Sequence, residues 1–126
     1  MTFYQQQIDL IKSTILFQDH VYERLKLSKD FIDSNLSNEI DVDQIAAKAC
    51  FSKYHFIRVF KSAYGRTPNQ YLIEQRIQKS KELLKLNKPI AETCYAIGFE
   101  SKTYFSGLFK RATGLTPARW KSRNEK

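Results

Sequence analysis

The sequence predicts an all-α protein in which two helix-turn-helix subdomains are joined by a long linker helix. Three observations carry that expectation. A segment recurs: Ser52 to Tyr71 reads SKYHFIRVFKSAYGRTPNQY and Ser101 to Trp120 reads SKTYFSGLFKRATGLTPARW, so that Ser, Lys, Phe, Phe, Lys, Ala, Gly, Thr and Pro return in register 49 residues later. Self-similarity at a fixed period marks a duplicated structural unit. Apolar residues fall at helical spacing along the chain, and no alternating run of useful length marks a strand. Only four glycines and three prolines occur, and most stand where a helix would stop or start.

Taken in order, Tyr4, Ile8, Ile11 and Ile15 give an amphipathic stripe on a first helix from Phe3 to Phe17. Val21, Leu25, Ile32 and Leu36 give a second stripe, with Asp19 as a candidate N-cap. Asp41 followed three residues on by Gln44 has the form of a capping box, and it opens a short helix through Ile45, Ala46 and Ala49. Cys50 and Phe51 make a tight turn. Ser52 is the candidate cap of the first repeated helix, which ends at Gly65, a residue suited to a left-handed C′ position. Thr67 and Pro68 restart the chain at once as N-cap and N1. The linker helix that follows runs to about Leu86, with Leu72, Ile73, Ile77, Leu83 and Leu84 on one side.

The second copy begins near Pro89, with Ile90, Thr93, Cys94 and Ile97 in the places of Val42, Ile45, Ala46 and Ala49. Gly98, Phe99 and Glu100 form its turn, one residue longer than the first. Ser101 caps the second repeated helix, Gly114 ends it, and Thr116-Pro117 starts a last helix carrying Trp120. The polar tail from Lys121 to Lys126 is expected to fray. The expected division is an N-terminal helix over 1–18, a first subdomain over 19–66, the linker helix over 67–87 and a second subdomain over 88–126. Three roles fit the N-terminal helix: a cap on the first lobe, a dimer contact, or a connection to another domain.

Charge separates the two ends of the chain. The net charge is +8, yet residues 1–51 carry −3 and residues 52–126 carry +11. The basic excess therefore coincides with the repeated part, as a polyanion-binding surface requires. Cys50 and Cys94 lie in short apolar stretches without a second Cys or His at ligand spacing, so both are expected as buried small hydrophobes rather than a disulfide or a metal pair. No metal or cofactor is expected. No run of about 18 apolar residues occurs, so no membrane span is expected. The start MTFYQQQIDL lacks the form of an export signal, and the cytoplasm is the expected location. His20 and His55 are far apart, with no nucleophile or carboxylate arranged around either and no Gly-rich phosphate loop, so an enzyme is not expected.

Helical spacing divides each repeated helix into two faces. Phe56, Val59, Phe60 and Ala63 are expected inward in the first copy, and Phe105, Leu108, Phe109 and Ala112 in the second. The inward set is largely repeated, whereas the outward set differs. Two readers of different base sequences would show that pattern, because packing is shared and base contacts are not. Arg58 can donate a bidentate pair to guanine, Tyr54 and Ile57 can meet thymine methyl groups, and Thr103 and Ser106 can bond base edges. Lys53, Lys61, Lys102 and Lys110 suit phosphate contacts, and His55 either contacts a phosphate or packs. The competing expectation is a helical protein-interaction module whose basic face binds an acidic partner; it would need an exposed apolar groove instead.

The segments IGFESKTYFSGLFKRATGLTPARW and CFSKYHFIRVFKSAYGRTPNQY resemble the AraC/XylS family of bacterial transcription regulators, over about residues 20–123. The resemblance implies that the helices starting at Ser52 and Ser101 enter adjacent major grooves of double-stranded DNA. By position, it implies base-reading roles for Tyr54, Ile57 and Arg58, and for Lys102, Thr103, Ser106 and Gly107. Phosphate contacts are expected from Lys53, His55, Lys61, Lys110 and Arg111. Gly107 departs from the long polar side chain common at its place, so the second unit is expected to read DNA more weakly. RNA polymerase is the expected protein partner. The effector domain usual in the family is expected to be absent or to lie outside this chain.

Overall fold

The computed structural model describes residues 2–124, with the side chains of 13–19 left out of the description. Among the described residues the chain forms α1 (Phe3–Ser34), α2 (Val42–Lys48), α3 (Lys53–Tyr64), α4 (Pro68–Lys85), α5 (Ile90–Ala96), α6 (Lys102–Thr113) and α7 (Pro117–Arg123), with no strand. None of these helices is long and apolar enough to cross a membrane.

Most of the expected starts and stops are present as hydrogen bonds. Asp41 and Gln44 form a reciprocal capping box at α2, and Thr67 and Gln70 do the same at α4. Gly65 and Gly114 sit at φ 75° and 83°, and their N–H groups close α3 and α6 onto the carbonyls of Lys61 and Lys110. Ser101 Oγ accepts from the Tyr104 N–H at 3.2 Å, whereas Ser52 occupies the N-cap position of α3 without a side-chain cap bond.

Three local expectations are corrected. The two N-terminal stripes belong to one helix of 32 residues, so Asp19 lies inside α1 and not at an N-cap position. Ile15 and the Asp19 side chain lie outside the described side chains. Propensity favours this continuity, since no Gly or Pro interrupts residues 3–34. At the other end, α7 continues to Arg123, because Thr116 caps it and Lys121 Nζ donates to the Lys88 carbonyl at 3.0 Å. Cys94 is buried as expected, but Cys50 is exposed. Cys50 holds φ 59° at the turn after α2, a left-handed position that turns its side chain toward solvent.

Two cores share one helix. The first joins Leu25 and Ile32 of α1 with Ile45 and Ala46 of α2, Ala49 of the turn, Phe56 and Phe60 of α3, and Tyr71 and Leu72 at the start of α4. The second joins Ile77 and Leu84 of α4 with Cys94, Ile97, Phe99, Phe105 and Phe109. The apolar side of α4 therefore serves two lobes rather than one. Equivalent aromatic pairs anchor both ends: Phe60 meets Tyr71 at 5.9 Å between ring centroids, and Phe109 meets Trp120 at 5.8 Å. Tyr71 also donates its hydroxyl to Asp33 Oδ1 at 2.8 Å; burial, and then this bond, raise its pKa.

The duplication is longer than the repeated segment. Arg24, Leu25, Ser28 and Ile32 on α1 correspond to Arg76, Ile77, Ser80 and Leu84 on α4, 52 residues later. Both serines are fully buried, and each donates to the carbonyl three residues back, at 2.5 and 2.6 Å. The molecule is thus two three-helix units, α1–α2–α3 and α4–α5–α6, closed by α7.

Candidate nucleic-acid interface

In each unit a short helix, a turn and a longer helix present one face of α3 or α6 outward. The turn is held from inside by its aromatic residue. Phe51 N–H donates to the Ala46 carbonyl at 3.0 Å, and Phe99 N–H to the Cys94 carbonyl at 3.1 Å. Phe51 stacks on Phe56 at 6.3 Å and Phe99 on Phe105 at 5.3 Å. Phe56, Phe60, Phe105 and Phe109 are completely buried, which fixes the rotation of each helix about its axis. The opposite faces then point to solvent. Cys94 lends a further bond, its thiol donating to the Phe99 carbonyl at 3.5 Å, and burial pushes that thiol's pKa up.

On α3 the fixed rotation leaves Lys53, Tyr54, His55, Arg58 and Lys61 exposed and Ile57 half-buried. Tyr54 is 78% exposed, with its ring open to solvent. His55 lies edge-on to Phe51 at 5.1 Å, so it both packs and faces solvent. Arg58 and His55 also line a groove of about 450 Å³ between α3 and α1, with Val21, Tyr22, Val59 and Ser62. On α6 Lys102, Thr103, Tyr104, Gly107, Lys110 and Arg111 are exposed, with Ser106 half-buried. Ala112, expected inward, is exposed: α7 and α4 cover the Phe109 side of α6 and leave this position to solvent. A Cβ built at Gly107 meets nothing within 4 Å, so nothing around it requires glycine.

Sequence reasoning missed the two arginines behind the turns. Arg24 Nε donates to the Ala49 carbonyl at 2.7 Å, its Nη2 donates to the Cys50 carbonyl, and its guanidinium lies 3.9 Å from the Phe51 ring centroid. Arg76 lies 5.6 Å from the Phe99 ring centroid in the second unit. The signal was present as RLKLSKDFI against RIQKSKELL. Among the described side chains of α1, Phe3, Tyr4 and Ile11 are exposed, and Val21, Leu25 and Ile32 pack in the first core.

The arrangement is shared with known proteins. A family model described as a helix-turn-helix domain matches residues 45–123. An HTH-type transcriptional regulator in the cgkA 5′ region of Pseudoalteromonas carrageenovora is 36% identical over 91 residues, covering 72% of this chain and 54% of that protein. The probable transcriptional regulator LumQ of Photobacterium leiognathi is 32% identical over 112 residues, covering 86% of this chain and 45% of that protein. The chain thus spans about half the length of these curated relatives. Among solved structures, the DNA-binding domain of the global transcriptional factor AdpA, in complex with a target DNA, is 31% identical with a TM-score of 0.75, covering 79% of this chain and 90% of that one. Duplicated units, a shared linker helix, two buried-Phe recognition helices and this likeness to a DNA-bound domain agree: the chain belongs to the AraC/XylS family of helix-turn-helix transcription regulators, and it carries that family's DNA-binding domain.

Proposed function

We propose that this domain recognises a bipartite DNA site, with α3 and α6 in successive major grooves on one face of the duplex. The observation that carries this reading is the pairing of two equivalent helices through α4, which contributes side chains to both cores. At 18 residues α4 is about 27 Å long, comparable to the ~34 Å groove repeat. Tyr54, Ile57 and Arg58 read bases in one half-site, and Lys102, Thr103, Ser106 and Gly107 face bases in the other. Lys53, His55, Lys61, Lys110 and Arg111 contact phosphates, which position the protein without specifying sequence. For DNA contact the chain divides into a first helix-turn-helix subdomain over 19–66, the linker helix over 67–87 and a second subdomain over 88–126. The domain works by binding rather than by catalysis, in the cytoplasm, with RNA polymerase as the protein it addresses.

Selection of bound duplexes from a random DNA pool tests the reading, followed by titration at several salt concentrations. The expected outcome is a site with two unlike halves about 10–10.5 bp apart, centre to centre. Log K should fall with log salt at a slope of about −0.9 for each phosphate contact. An unselective pool, or affinity indifferent to salt, would refute it.

A further inference from the structure

The two turn-side arginines are equivalent in sequence and packing but not in what they bind. Arg24 bonds the carbonyls of its own unit's turn, Ala49 and Cys50. The equivalent partners of Arg76 would be the carbonyls of Ile97 and Gly98. Instead Arg76 Nε donates to the Leu36 carbonyl at 3.0 Å and Nη2 to the Asn38 carbonyl at 2.9 Å. Both acceptors lie in the strand of chain leaving α1, in the other unit.

The second turn reaches the same place. Gly98 approaches so closely that a Cβ there would stand 2.6 Å from the Leu36 oxygen and 2.9 Å from Arg76 Nη2. The Phe99 ring lies under the same guanidinium. Beside them, Glu39 of the first unit and Glu100 of the second line one cleft with Ile40, Ser101 and Tyr104, and Glu100 raises the pKa of the Glu39 carboxyl. Three elements thus converge on one carbonyl: the end of α1, the middle of α4, and the turn that leads directly into α6.

We propose that Arg76 is the positioning residue that sets the angle between the two recognition helices, by tying the turn before α6 to the chain after α1. This rests on the bipartite reading above. A helix shared between two cores fixes the distance between units, but it leaves torsion and bending about α4. The junction at Leu36 and Asn38 closes those freedoms. The fork of a guanidinium is needed because two carbonyls are held while the planar group covers a ring; an ammonium supplies one point of charge and no fork. With α6 held, the second half-site is met at high effective concentration, and that advantage is specific to one spacing.

The experiment compares wild type, Arg76→Lys, Arg76→Gln and Arg24→Lys on duplexes carrying the selected site, the first half alone, and the two halves separated by inserts of 1, 2 and 5 bp. Thermal melts and circular dichroism establish that each variant is folded. Wild type should prefer the native spacing sharply. Both Arg76 variants should hold the first half alone within about twofold of wild type, lose about tenfold or more of the gain from the second half, and show a flattened spacing profile. Arg24→Lys should weaken the first half and leave the preferred spacing where it was. Arg76 variants that bind with the wild-type spacing profile would overturn the proposal. So would failure of Arg76→Lys to fold, since the residue would then serve the fold and not the relative placement. A wild-type protein indifferent to spacing would instead overturn the bipartite reading on which the proposal stands.

Discussion

The two units hold the same parts in different relations. In the first, Arg24 closes a turn within its own lobe, and the left-handed position after the short helix is filled by Cys50 with φ 59°. In the second, Arg76 reaches across to the first lobe, and the equivalent position is Gly98 with φ 83°. The glycine is explained by contact as well as by torsion. Gly98 abuts the Leu36 carbonyl, and a side chain would part the lobes. Cys50 faces solvent and tolerates a side chain at some cost in strain. The two units therefore repeat one set of parts, and the turn of the second also packs against the first lobe. A further difference lies on the outward faces: Arg58 stands where the second unit has Gly107.

Several substitutions would break or sharpen this comparison. The largest effects are expected from Phe60→Ala and Phe109→Ala. Each removes a fully buried ring, at a cost of about 3–5 kcal/mol. Because α4 belongs to both cores, either variant should melt in one lowered transition rather than lose one lobe alone. Two resolved transitions in calorimetry would show that the units are thermodynamically separate. An unchanged melting temperature with lost DNA binding would mean the rings face outward.

Gly98→Ala and Cys50→Gly should move stability in opposite directions. The first places a methyl group against a carbonyl and in left-handed backbone, for a loss of about 2–3 kcal/mol. The second relieves left-handed strain against a small entropic cost, for a gain of about 0.5–1 kcal/mol. Urea titration of the pair checks both signs. Equal and opposite changes would mean that torsion alone distinguishes the two positions.

Arg58→Ala should relax preference at one base position by about 1–3 kcal/mol, while Lys61→Ala weakens all sequences alike. Losses without any change in preference in both variants would make Arg58 a phosphate contact. Gly107→Ala should stabilise α6 by about 1 kcal/mol, since its Cβ meets open space. Gly107→Arg should in addition make the second half-site more selective, a result readable by repeating the pool selection.

The smallest effect concerns pH. The hydrogen bond with Glu100, and then the Glu100 charge, hold the Glu39 carboxyl above its ordinary range. The folded state thus binds that proton more tightly than the unfolded chain does. Its contribution is present below the ordinary glutamate pKa and is lost as pH rises through the raised value. Arg76 is the cation lining the same cleft. On going from pH 7 to about 4, wild type should therefore gain slightly relative to Glu39→Gln in paired thermal melts. Parallel melting curves for the two proteins would show that the carboxyl pair shares no proton.

Much of this architecture was written locally. The capping box at Asp41, the N-cap at Thr67 and the glycines at 65 and 114 act within a few residues, so spacing and residue type sufficed to locate them. The Phe pairs and the exposed sets on α3 and α6 followed from helical periodicity, which is also local. Periodicity placed Ala112 inward where the neighbouring helices leave it uncovered, and it divided α1 at Asp19 where the backbone runs on. The wider duplication escaped because the loops differ in length: the chain from 35 to 41 corresponds to the shorter one from 87 to 89, so the offset drifts from 52 to 48 and back to 49.

By itself the sequence determined an all-helical chain, its duplicated turn-and-helix segment, the basic bias of that segment and the inward rings that orient each helix. Those properties depend on neighbours three or four residues away and on composition. The tertiary structure alone decided that α4 feeds two cores, that Cys50 faces water while Cys94 is buried, and that Arg76 crosses to Leu36 and Asn38 where Arg24 stays at home. These depend on how two lobes approach each other, and contacts between residues 38 to 40 positions apart leave no period in the chain.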